Sequence, residues 1–133
     1  MRLLVLDENH LLAWMVERLA PPGTEVVGFT SFDDARRALL DNPPDAAVVC
    51  VTAAHLPWRE FGRLCASRRP PVPVLFESCV FSSAEEAGLD VASGDVRFLP
   101  TPASRADLAD ALTRLLDDAR EASARLVLEA KTS

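Results

Sequence analysis

The stretch Ala46-Ala47-Val48-Val49-Cys50-Val51, which follows Pro44-Asp45, is apolar at every position. A run of this kind, without alternation between apolar and polar residues, is typical of a strand that is buried on both faces. Leu3-Leu4-Val5-Leu6, near the start of the chain, has the same character. Strands of this type occur almost only in parallel sheets that are covered by helices, so these two segments favour an α/β fold.

Segments with helical periodicity alternate with further strand-like segments along the whole chain. We predict the other strands at residues 25–29, 72–76 and 96–99, and a helix after each of the five strands. Ser31 and Ser104 each precede an aspartate by three residues and are expected to begin helices, and Ser82 or Ser83 is expected to begin a fourth helix containing Leu89 and Val91. Five such units with right-handed crossovers predict a doubly wound (βα)5 parallel sheet. Its commonest strand order is the flavodoxin-like 2-1-3-4-5.

Length and charge exclude several classes of protein. The 133 residues suit one domain, and the formal net charge of −6 would repel a phosphate backbone, so we expect no direct binding to nucleic acid. No apolar run approaches the roughly 18–20 residues of a membrane-spanning helix, so we expect no membrane contact. The three cysteines have no CxxC spacing, which argues against a zinc site or a disulfide framework and favours a reducing cytoplasm.

The predicted topology indicates where a functional site should lie. In open parallel sheets, sites form at the carboxyl ends of the strands, near the switch point between the first and third strands. The polar and reactive residues at these ends are Asp7-Glu8, Cys50 with the segment to His55, Ser78-Cys79 and Thr101-Pro102.

With these positions aligned, the chain resembles the receiver domain of two-component response regulators over about residues 2–117. The acidic pair Asp7-Glu8 follows the first strand, where that family binds a divalent metal, and Ser78 ends the fourth strand, where the family keeps a hydroxyl that contacts the phosphoryl group. Further matches in spacing are Pro44-Asp45, Gly94, Phe98 as the switch aromatic, and Pro102. The resemblance implies the flavodoxin-like fold and a role in bacterial signal transduction.

Two departures from the family pattern affect function. Cys50 stands at the position of the phosphoryl-accepting aspartate, and Thr101 at that of the invariant lysine. Phosphoryl transfer to a receiver uses a carboxylate nucleophile, a metal ion and a lysine ammonium. Cys50 cannot form the acyl phosphate, and Thr101 supplies no positive charge. We therefore expect a pseudo-receiver that is not an enzyme, with a degenerate phosphorylation pocket made of Asp7, Glu8, Cys50, Ser78 and Thr101.

Each of these residues also has a structural interpretation. Asp7 and Glu8 are weak metal candidates, because a thiol is a poor third ligand for magnesium, and carboxylates are also stabilised at a helix N-terminus. Ser78 could simply bond to neighbouring backbone at the strand end. Cys50 and Cys79 invite a redox-switch hypothesis, but nearby carboxylates disfavour a reactive thiolate, so we expect inert thiols. No cofactor is expected.

The last helix carries a heptad seam, with steps of four and three residues. Its members are Leu108, Leu112, Leu115, Ala119, Ala122 and Leu126. The seam continues past the usual end of a receiver, so we divide the chain into a receiver-like domain at 1–118 and a helical extension or linker at 119–133. The extension is either a charged, frayed tail or a helix that binds a partner or dimerises.

These observations favour a phosphorylation-independent interaction module, for docking or dimerisation, in bacterial signalling. The resemblance implies that the partner binds the face formed by the fourth helix, fifth strand and fifth helix around Phe98, and Leu126 extends the contact along the seam. A homodimer is one option. The alternative is a small-molecule or redox sensor that uses the flavodoxin-like cleft. Against it, the sequence has no glycine-rich phosphate loop and no nucleophile–base pair.

Overall fold

Five parallel strands form one sheet in the order β2-β1-β3-β4-β5, as the sequence predicts. The computed structural model describes residues 1–8, 11–51, 58–78, 80–88, 96–100 and 104–132. The strands are β1 (Arg2–Leu6), β2 (Glu25–Phe29), β3 (Ala46–Val51), β4 (Val74–Ser78) and β5 (Val96–Pro100). The helices in the described residues are α1 (Leu11–Leu19), α2 (Phe32–Asp41), α3 (Trp58–Ser67) and α4 (Arg105–Thr132). The predicted doubly wound, flavodoxin-like fold with an extended last helix is confirmed.

Two helices begin at the serines that the sequence indicates. At α2, the Ser31 hydroxyl accepts a hydrogen bond from the Asp34 amide at 3.4 Å. At α4, the Ser104 hydroxyl accepts from the Asp107 amide at 3.0 Å, and the Asp107 carboxylate accepts from the Ser104 amide at 3.4 Å. This reciprocal pair satisfies amide groups that have no partner inside the helix, which fixes the helix start.

The fourth strand begins two residues later than predicted. We expected a strand at 72–76, whereas β4 spans Val74–Ser78. The Val72 amide donates to the carbonyl of Cys65 at the end of α3. Pro73 has no amide hydrogen to donate to a ladder. Regular pairing therefore starts at Val74, and the later end brings Glu77 and Ser78 into the sheet.

The predicted fourth helix falls only partly within the described residues. Residues 84–88 form a turn rather than a helix, and the Ser83 hydroxyl accepts a hydrogen bond from the Glu86 amide at 3.1 Å. Gly88 ends the turn with φ of +75°, a left-handed conformation that glycine adopts readily. Leu89 and Val91 lie outside the described residues.

The core has one layer on each face of the sheet, and β3 contributes to both. Ala47, Val49 and Val51 belong to the cluster with α2 and α3, and Ala46, Val48 and Cys50 face the cluster with α1 and α4. Successive side chains on a strand point to opposite faces. This explains why β3 is apolar at every position.

Helix α4 is much longer than the sheet that it covers. Its 28 residues span about 42 Å at 1.5 Å per residue, whereas a strand of five residues spans about 17 Å. Ala119 is the last buried side chain, and no described side chain from 120 onward is buried. We call residues 120–132 the overhang. The helix is continuous across position 118, where the sequence analysis divides the chain.

None of the described helices is both long and apolar enough to cross a bilayer.

The buried part of the α4 seam should dominate the contribution of this helix to stability. Leu112 is fully buried between α4 and the sheet, whereas Leu128 in the overhang is 62% exposed. We expect Leu112→Ala to lower the free energy of unfolding by about 2–5 kcal/mol, because it leaves a cavity in the core. Leu128→Ala is the matched control and should change it by less than about 0.5 kcal/mol. Urea denaturation measures both, and equal costs would contradict this description of α4.

Candidate functional site

Strand register brings polar residues from three strands into one row at the carboxyl edge of the sheet. Cys50 pairs with Glu77 and Glu77 pairs with Leu99. Asp7 follows Leu6, whose partner is Val49, so Asp7 is level with Cys50. Residues in register on parallel strands point to the same face, here the face covered by α1 and α4. The row therefore places a carboxylate on each side of the Cys50 thiol.

Asp7 is 4% exposed and helps to begin α1. Its carboxylate accepts a hydrogen bond from the Leu12 amide at 3.2 Å, and its own amide donates to the Phe29 carbonyl at 3.0 Å. A carboxylate at this position satisfies a free amide of the first helical turn and interacts favourably with the helix dipole. Asp7 therefore has the structural role of a carboxylate at a helix N-terminus, whereas Glu8 is exposed.

Glu77 is a site residue that was not predicted from the sequence. It lies one position beyond the end of the predicted strand, so it was not assigned to the sheet. Burial of the side chain raises the pKa of Glu77 above its ordinary value, and the negative charge of Asp7 raises it further. A signal was present in the sequence, because Glu77 is the one charged residue in the otherwise apolar run that leads to Ser78.

Ser78 is 1% exposed, and its hydroxyl is fully engaged with backbone groups. It donates to the Val51 carbonyl at 3.1 Å and accepts from the amides of Val80 and Phe81, each at 3.0 Å. A hydroxyl has one donor and two acceptor positions, so all three are used. In this structure Ser78 fixes the turn after β4, which is the strand-end role considered above.

The remaining residues of the predicted pocket do not complete a metal site in the described part of the chain. The Cys50 side chain is half-buried and packs beside the core cluster of α1 and α4. Thr101, Cys79, Gly94 and Pro102 lie outside the described residues. Within residues 1–8, 11–51, 58–78, 80–88, 96–100 and 104–132, no three His, Cys, Asp or Glu side chains are grouped to hold a metal ion. Magnesium requires hard oxygen ligands, so a donor set with a thiol at its centre fits it poorly.

The two residues predicted for switching or interaction lie far apart in the fold. Phe98 is half-buried on β5, pairs with Phe76 and packs against the cluster of α2 and α3, on the opposite face from Glu77. Leu126 lies on the α4 overhang and is 41% exposed. They therefore belong to two separate surfaces.

Comparison with known proteins identifies the fold. No family model and no curated protein sequence matches the chain. Among solved structures, the chemotaxis response regulator CheY4 of Vibrio cholerae superposes with a TM-score of 0.72 at 20% identity, covering 86% of this chain and 98% of that one. A response regulator receiver protein from Sinorhizobium medicae gives 0.71 at 22% identity, covering 90% and 96%. The chain has the fold of these receiver domains.

A further solved structure matches nearly the whole chain. It is described as adenylate cyclase from Rhodopirellula baltica, with a TM-score of 0.81 at 19% identity, covering 98% of this chain and 97% of that one. Coverage this high leaves only a few residues unmatched, so the match must include most of the overhang.

The protonation of Glu77 should make stability depend on pH. The pKa of Glu77 is raised in the folded state, so ionisation of its carboxyl group opposes folding. The protein is therefore more stable while Glu77 is protonated. This extra stability is lost as the pH rises through the folded-state pKa. We expect Glu77→Gln to melt at a higher temperature than the wild type near pH 7. The difference should vanish at pH values below about 3, where the glutamate is protonated in both states.

Thermal melts at several pH values test this expectation, with Glu60→Gln as the control because Glu60 is exposed on α3. A difference for Glu77→Gln that persists undiminished at low pH would show that its ionisation is not the cause. An equal gain for Glu60→Gln would indicate a general effect of net charge.

Proposed function

We propose that this chain is a receiver-fold signalling module that acts by binding a protein partner and does not depend on phosphorylation. The observation that carries the proposal is the position of Cys50, which is level with Asp7 at the carboxyl edge of the sheet, where the resemblance to receivers places the acceptor aspartate. The fold that the chain shares with receiver domains supports a role in signal transduction.

The surroundings of Cys50 support the absence of phosphorylation. The register places Asp7 on one side of it and Glu77 on the other. A phosphoryl group carries about −1.5 to −2 charges at neutral pH, so two carboxylates beside it would oppose its attachment unless cations compensated them. Thr101 stands where the family has its lysine, which removes the cation of that position.

The hydroxyl that receivers use for switching is also committed elsewhere. All hydrogen-bonding positions of Ser78 are occupied by backbone groups of β3 and of the turn after β4. To contact a phosphoryl group, the hydroxyl would have to give up bonds inside a buried site, at a net cost. A phosphoryl group could switch the protein between two conformations only if it interacted differently with each of them. We therefore propose that the surface around Phe98 binds its partner constitutively.

We do not propose a catalytic role. One neighbour in fold is described as an adenylate cyclase, but this sequence contains no glycine-rich loop that could hold a triphosphate. Its five glycines are spread along the chain at 23, 28, 62, 88 and 94. We therefore propose a binding role rather than a catalytic one.

Phosphorylation can be tested directly by intact-mass spectrometry after incubation with acetyl phosphate and magnesium. We expect no phosphoryl adduct, because Cys50 cannot form an acyl phosphate. Cys50→Asp should not by itself restore efficient phosphorylation, since Thr101 supplies no ammonium to hold the phosphoryl oxygens. A receiver domain that retains its aspartate and lysine is the positive control. A stoichiometric adduct on the wild type would overturn the proposal.

A phosphoryl mimic gives a second, independent measurement. Magnesium together with beryllofluoride should leave the melting temperature of the wild type unchanged, because a ligand that binds the folded state would raise it. The same treatment should raise the melting temperature of the control receiver. A reproducible increase for the wild type would mean that the pocket still binds phosphoryl-like ligands.

A further inference from the structure

The overhang of α4 forms one wall of a groove at the amino edge of the sheet, opposite the site described above. Two cavities of about 210 and 360 Å³ run along the helix and share Arg69, Pro70, Pro71 and Ala122. Because they share these residues, they form one continuous cleft between the overhang and the connection from α3 to β4. We call this cleft the basal groove.

The apolar side of the overhang is exposed toward this groove. Ala122 and Leu126 continue the seam whose earlier members, such as Leu115, are fully buried against the sheet. Beyond Ala119 the sheet no longer covers the seam, and Pro70 and Pro71 cover it on one side only. An apolar helix face that extends past its own core is characteristic of a contact surface.

The charges along the groove indicate which occupant it fits. Arg69, Arg125 and Glu129 line it beside the overhang, and Arg125 and Glu129 lie one helical turn apart on the overhang itself. If a second copy of the overhang lay antiparallel in the groove, Arg125 of each copy would face Glu129 of the other, so the ion pair would form twice. A parallel pair would place arginine against arginine and glutamate against glutamate, which is destabilising. A surface that complements itself in this way is typical of a two-fold dimer.

We propose that the basal groove binds a second copy of this chain, with the two overhangs antiparallel. Pairing Arg125 with Glu129 places the two-fold axis beside residue 127, so Leu126 of each copy lies close to the centre of the contact. The inference rests on the proposed function as an interaction module and adds a second contact surface, separate from the one around Phe98. The overhang is short, so the interface lies at the small end of the range for specific complexes and the dimer should be weak. It should therefore assemble at high micromolar concentrations and dissociate on dilution.

Sedimentation equilibrium from about 1 µM to about 1 mM measures this association across the range expected for a small interface. We expect the average mass of the wild type to rise from 14.4 kDa toward twice that value. Leu126→Glu should weaken association at least about tenfold, because it puts a charge in the apolar centre. Leu128→Glu is the matched control, since Leu128 lies on the opposite side of the helix and is more exposed.

A chain that stays monomeric over the whole concentration range would overturn the proposal. This outcome covers the case in which the groove binds a different protein instead of a second copy. A stronger effect of Leu128→Glu than of Leu126→Glu would overturn it as well. Circular dichroism at 222 nm checks that each variant keeps the helical content of the wild type.

Charge exchange tests the antiparallel arrangement. Arg125→Glu and Glu129→Arg should each weaken the dimer, because each places like charges opposite one another. The double variant should associate about as well as the wild type, because the pairs are restored with reversed sign. A parallel dimer would respond differently: neither single variant would weaken it. Indifference to the single variants, or no recovery in the double variant, would refute the antiparallel pairing.

The two proposals fail in different measurements. Loss of the dimer would remove this inference and leave the absence of phosphorylation intact. A phosphoryl adduct or a beryllofluoride response would remove the proposed function, whereas the dependence of dimerisation on Leu126 would still stand. Mass spectrometry and thermal melts of Leu126→Glu alongside the wild type keep these outcomes separate.

Discussion

Burial of the central strand β3 on both faces is the constraint on which the rest of the structure depends. Its alternate residues supply both core layers, one with α2 and α3 and the other with α1 and α4. A strand of this kind exposes no face to water, so helices must cover the sheet on both sides, and right-handed crossovers then leave few strand orders. The order β2-β1-β3-β4-β5 places the carboxyl ends of β1, β3 and β4 side by side, and the site follows from that adjacency.

At this edge the strand ends bring a thiol, two carboxylates and a hydroxyl close together. A thiol lies between two carboxylates, and the neighbouring hydroxyl of Ser78 is held by the backbone. Burial and the charge of Asp7 raise the pKa of Glu77, so the site already carries unfavourable negative charge without a phosphoryl group. Asp7 and Ser78 therefore stabilise the start of α1 and the turn after β4. We propose that the site does not act as a switch.

The long last helix links the core to the opposite edge of the sheet. Within the sheet its apolar seam is covered, and beyond Ala119 the same seam continues along the basal groove. One periodic pattern therefore serves two purposes along one helix: its first half stabilises the fold, and its second half provides the surface that we propose for self-association. This surface is separate from that of Phe98, which packs on the other face of the sheet.

The sequence by itself determined the order of elements, the parallel topology and the serine caps, because hydropathy, periodicity and capping motifs can be read from short stretches of the chain. It also identified Cys50 and Ser78 as the residues at the strand ends. Only the tertiary structure decided that Glu77 joins the site, because strand register depends on where Pro73 ends the preceding connection rather than on the apolar run alone. It likewise decided that Ser78 is already satisfied and that the seam passes beyond the sheet. These facts depend on contacts between residues far apart in sequence, which periodicity cannot reveal.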